Sequence, residues 1–222
     1  MFDPSIIILI PAMIFAFYAQ TKVKTTFNKY LKVDSRSGYT GSEIARKILD
    51  KNGLYEVKIE HTRGHLTDHY DPRTKILRLS SSVYNGRSVA AAGVAAHEVG
   101  HAIQHANGYF PLTIRNNLAP IANFGARFVW IIVILGFFVN PSLIKVGIIL
   151  YLAVVGFQII TLPVEFNASS RALAQLESGI MRQEEIKPAK KVLNAAALTY
   201  VAATLVAVGQ LIRLILLSSS DD

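Results

Sequence analysis

Four apolar stretches decide what this chain can become. They run over residues 5–20, about 118–139, about 143–164 and about 193–217. Each matches or approaches the roughly 20 residues a helix needs to cross a hydrocarbon layer. Inside lipid the backbone must satisfy its own hydrogen bonds, so such segments fold as helices. Residues 21–117, between the first and second stretches, have ordinary soluble character, and a shorter polar segment, 165–192, separates the third from the fourth. The expected fold class is a mainly α, polytopic membrane protein with about four transmembrane helices and one small α+β domain.

Charge gives this layout a direction. Of 23 Lys and Arg residues, 15 lie in residues 20–117 and five in 163–192, leaving only Arg127, Lys145 and Arg213. By the positive-inside rule both basic segments face the cytoplasm, and the chain ends and the 140–142 turn lie outside. The first apolar run is preceded by Asp3 and followed by Lys22, Lys24, Lys29 and Lys32. That order reads as a retained span rather than a cleaved signal peptide. The net charge of +8 does not point to nucleic acid, because the 20–117 block also holds eight acidic residues. The basic excess reports topology and contact with the anionic lipid bilayer. With no cysteine in the chain, disulfides and thiolate metal sites are excluded.

Local signals divide the soluble block. Thr40 with Glu43 forms a capping-box pattern ahead of an apolar stripe (Ile44, Ile48, Leu49), and Asn52-Gly53 stops that helix. "LYEVKIEHT" alternates like a strand, and "HLTDHYDPRTKILRLS" reads as two strands about a turn at residues 71–74. A helix over about 88–107 follows, with Ser88 as its cap and Asn107-Gly108 as its stop. "KILRLS", just before this helix, is the expected edge strand for an extended peptide substrate. His61, His65 and His69 fall in strand-like sequence, where even spacing puts them on one face.

The 88–107 helix contains "GVAAHEVGHAIQH". Imidazoles and a carboxylate are costly to bury unless paired, protonated or metal-bound. On a helix His97 and His101 share a face one turn apart, within reach of one cation. Glu98 sits about 100° round the helix, away from a ligand position but placed to take a proton from an attacking water. This is the H-E-x-x-H pattern of zinc peptidases, which makes 21–117 a zincin-like domain. A catalytic Zn²⁺ wants three protein ligands and one open position. Two spans separate His101 from Glu165, so both return to the same side of the membrane. Glu165, directly after the third apolar run, is the candidate third ligand, in a third-ligand helix segment over 165–192. His105 extends the same helical face; it would close the site if it ligated, and the expected role is instead to support a ligand, face the substrate or lie in solvent. His65, His69, Tyr70, Arg115 and Arg171 are candidates for polarising a substrate carbonyl, and the sequence does not rank them.

With these residues placed, the chain resembles the YugP-like family of bacterial membrane zinc metallopeptidases, also called neutral zinc metallopeptidases. The resemblance rests on "LTDHYDP", "ILRLS", "GVAAHEVGHAIQHA", "GYFPLTIR" and "LPVEFNASSRAL", within about residues 64–176. It implies one Zn²⁺ on His97, His101 and Glu165, with Glu98 catalytic. More distantly the chain is similar to the HtpX-type membrane gluzincins, whose third-ligand helix reads E-x-x-x-D. Here Ser169 stands in place of that aspartate, with Asn167 between, so Ser169 or Asn167 would supply the supporting hydrogen bond.

The expected function is a multi-pass zinc endopeptidase of the cell membrane with its active site facing the cytoplasm, cleaving membrane proteins or peptides. A zinc-stabilised scaffold or chaperone is the alternative, and it would need a fourth protein ligand such as His105. A zinc transporter is disfavoured, because the only charged residues inside the spans, Arg127, Lys145 and Arg213, are cations.

Overall fold

The computed structural model describes residues 4–140 and 142–219; the expected exterior placement of both chain ends and of Pro141 lies outside the described residues. After a 3₁₀ turn at Pro4–Ile8 come helices α1 (Leu9–Leu31) and α2 (Gly41–Lys51), then strands β1 (Lys58–Thr62), β2 (His69–Asp71) and β3 (Ile76–Ser80). A one-turn helix α3 (Ser81–Tyr84) leads to α4 (Val89–Ala106), and the long helices α5 (Phe110–Phe138), α6 (Ser142–Gln175) and α7 (Gln183–Ser219) complete the chain.

Among the described residues, four helical segments are long and apolar enough to cross a membrane: Ser5–Leu31, Phe110–Phe138, Ser142–Ile180 and Gln183–Ser219. Each outruns its apolar stretch. The backbone ladder does not stop where hydropathy drops, because Lys, Gln and Ala are also good helix formers. For this reason Glu165 does not open a new helix after a span. It lies inside α6, which continues unbroken to Gln175.

The chain divides into two units. The first comprises residues 1–20, 110–163 and 199–222, and its core joins Val129, Val133, Tyr151, Val154, Val155, Ala207 and Leu214. Phe17, Ile131, Phe138 and Ile149 are exposed large apolar side chains on its helices, as hydrocarbon solvent permits.

The second unit comprises residues 21–109 and 164–198. Its core gathers Phe27 of α1, Ile44, Ile48 and Leu49 of α2, Leu77 and Leu79 of β3, the alanines of α4, Ala172 and Leu176, and Ala189 and Val192 of α7. The local signals hold. Thr40 and Glu43 exchange both bonds of a capping box, and the Ser88 hydroxyl accepts from the Ala91 amide. Past α4, Gly108 takes the left-handed φ of +59° that only glycine adopts readily, which ends the helix.

The sheet order is β1-β3-β2, with β1 parallel and β2 antiparallel to β3. The "KILRLS" segment is thus the central strand, not an edge, and both its ladders are already paired. Leu77 and Leu79 are fully buried, and on the other face Arg78 lies opposite both Glu60 and His69. Arg78 Nε donates to Glu60 at 3.2 Å. The sheet's free edges belong to β1 and β2. The expected common face of three histidines also fails. His65 lies outside any strand, edge-on to Phe27, while the His61 ring bonds Ser81 Oγ and His69 Nδ1 donates to Thr67 O.

Candidate metal centre

Helix α4 carries the motif, and its alanine content explains how it can lie so deep. Thirteen of its 18 residues are buried, and small side chains let neighbouring backbones come close. The closest approach is at Gly100: a Cβ there would stand 2.6 Å from the Ala168 carbonyl oxygen. A larger residue at 100 would push α6 away from the helix that presents His97 and His101.

That contact sets the site. His97, His101 and Glu165 bring one ligating atom each to within 4.8 Å of one another, and this is the one such group among the described residues. Glu165 Oε2 lies 3.2 Å from His97 Nε2 and 3.6 Å from His101 Nε2. Tetrahedral zinc with bonds of about 2.0–2.2 Å holds its donors roughly 3.3–3.6 Å apart. The residues therefore fit a zinc ion: two imidazoles and a carboxylate at the spacing one ion would impose. Glu165 is 2% exposed, so its charge needs a compensating cation.

Behind the ligands, Ser169 Oγ lies 3.1 Å from His97 Nδ1, and Gln104 Oε1 lies 3.0 Å from His101 Nδ1. Of the two residues expected to support a ligand, Ser169 is the one within hydrogen-bond distance of a histidine ring. Asn167 touches neither histidine, and its Oδ1 accepts from Gln104 Nε2 and from Arg171 Nε. Arg171 acts on Asn167 rather than pointing its bond at a ligand. Gln104 was not singled out from sequence. The available signal was its place three residues after His101, on the same helical face.

Glu98 is buried on α4, and burial pushes its carboxyl up from the usual range while His97 and His101 pull it down. His105 is not among the gathered ligands. Its Nδ1 lies 3.0 Å from the Tyr70 hydroxyl, and burial pushes that phenol up to about 12. Tyr70 and His105 line a cavity of about 170 Å³ with Leu54, Val57, Lys75 and Ala106. His69 lies on β2 and is not among the gathered ligands, and Arg115 lies on α5, in the first unit.

Residues 5–219 match the family model described as "Putative neutral zinc metallopeptidase". The chain belongs to that family. It is also 50% identical over 214 residues to "Putative membrane protease YugP" of Bacillus subtilis (strain 168), covering 96% of this chain and 95% of that protein. No solved structure matches. Membership gives the clustered His97, His101 and Glu165 a zinc-peptidase context.

Proposed function

We propose that this protein is a multi-pass zinc endopeptidase of the cell membrane, working at the cytoplasmic interface on membrane proteins or peptides. The observation that carries the reading is the convergence of two α4 imidazoles and one α6 carboxylate at zinc spacing, with Glu98 beside the first imidazole. His97, His101 and Glu165 would hold one zinc ion. When bound, zinc supplies a Lewis acid for the scissile carbonyl and lowers the pKa of a water toward about 7.

The chain's own residues do the rest. Glu98 takes the proton of the attacking water on its carboxylate and returns it to the leaving amine. Burial raises its carboxyl above the usual range, which makes the carboxylate a stronger base for the water's proton. Ser169 and Gln104 hold the two imidazole rings in place. The hydrophobic packing of α4 keeps bulk water away from the base.

The test is Glu98→Gln. It should keep zinc at the wild-type stoichiometry and lower cleavage of a membrane-protein substrate by at least about 10²–10⁴, the range of general-base effects. Full turnover by the folded variant would contradict the mechanism.

A further inference from the structure

Gln104 is completely buried, and every polar atom of its side chain is engaged. Nε2 donates to the Val164 carbonyl at 2.8 Å and to Asn167 Oδ1 at 3.0 Å. A carbonyl only accepts, so the NH₂ end of the amide must face Val164. Asn167 is oriented in the same way. Arg171 Nε only donates, and at 2.7 Å it selects the oxygen of the Asn167 amide. Both neighbours of Nε2 are therefore acceptors, which leaves Oε1 facing His101 Nδ1 at 3.0 Å. An oxygen there requires a proton on Nδ1. In the neutral ring that a metal would bind, the lone pair of His101 is then on Nε2, the atom directed at Glu165.

We propose that Gln104 is a positioning residue that fixes the His101 tautomer for metal binding and ties it to the backbone of the Glu165 helix. Val164 immediately precedes Glu165, so one side chain links two of the three ligands across 60 positions of sequence. His97 is held differently. Its Nδ1 faces the Ser169 hydroxyl, which rotates and can donate or accept, so that contact leaves the tautomer free. The fixed amide relay Arg171–Asn167–Gln104–His101 makes His101 the preset ligand of the pair.

This assignment rests on the zinc-centre reading, and the test separates the two. Zinc affinity is measured by chelator competition on the purified full-length protein, together with Gln104→Leu and Gln104→Glu. Loss of an outer partner weakens metal binding by about 10–100-fold, and Gln104→Leu should fall in that range. Gln104→Glu keeps an oxygen for His101 Nδ1 while losing donors to Val164 and Asn167. It should therefore recover most of the affinity lost in Gln104→Leu. A purely structural clamp predicts the reverse, with Gln104→Glu as weak as Gln104→Leu or weaker. A folded Gln104→Leu protein with wild-type affinity would also overturn the proposal. Should the variants not fold, ¹⁵N-histidine NMR of the zinc-loaded wild type decides. Nδ1–H with metal on Nε2 of His101 supports the relay, and metal on Nδ1 refutes it. A folded wild-type protein that holds no zinc would overturn the metal centre, and the assignment of Gln104 with it.

Discussion

At residue 165 a carboxylate is buried with two imidazole nitrogens 3.2 and 3.6 Å from one of its oxygens. Such a charge is compensated either by a metal or by a protonated histidine. The two cases respond differently to mutation. As a ligand, Glu165 contributes one of three bonds, so Glu165→Ala should cost more zinc affinity than the roughly 10–100-fold expected of Ser169→Ala. Glu165→Asp, about one methylene shorter, should retain part of the binding. Chelator competition on the purified variants ranks them. An alanine variant as tight as wild type would move the third ligand elsewhere. His97, Glu98 and His101 were legible in the sequence because a helix turn fixes their mutual placement. Glu165 was legible only by counting spans, and Gln104 was not, because its partners Val164 and Asn167 are about 60 residues away.

Among the elements, α4 and α6 depend on one close contact. An alanine at Gly100 would drive its Cβ into the Ala168 carbonyl, and backbone on both sides leaves no flexible atom to yield. Gly100→Ala should destabilise the protein by about 1–3 kcal/mol, the usual cost of overpacking, and should weaken zinc binding by separating the ligand helices. Thermal unfolding with and without zinc checks both effects. Unchanged stability would show that the helices part without cost. Helix ends were readable in advance because caps are local chemistry: Thr40 with Glu43, Ser88, and Gly108 each act within a few residues. Strand order was not. Alternation in "ILRLS" tells which side chains face the core but not which strands flank it, so β3 emerged as central rather than as an edge. His65 shows the same limit, since even spacing places residues on a face only where a strand exists.

For the whole molecule, hydropathy made four helices of spanning length legible while leaving their lengths short. The helices continue past their apolar runs, and α6 carries Glu165 within its own ladder. The proposed orientation rests on the basic segments on either side of the spans. A reporter active only in the cytoplasm should score when fused after Gly108 and after Met181 and fail after Asp222. The opposite pattern would invert the protein while keeping residues 97–101 and 165 on one side. The proposed zinc centre holds one ion on His97, His101 and Glu165 with a position left for water. An anomalous-scattering map of zinc-loaded Glu98→Gln tests it most directly. A single metal peak is expected, bonded to His97 Nε2, His101 Nε2 and the Glu165 carboxylate, with solvent as the remaining ligand. A fourth protein ligand in that position, or a peak away from these three side chains, would contradict it.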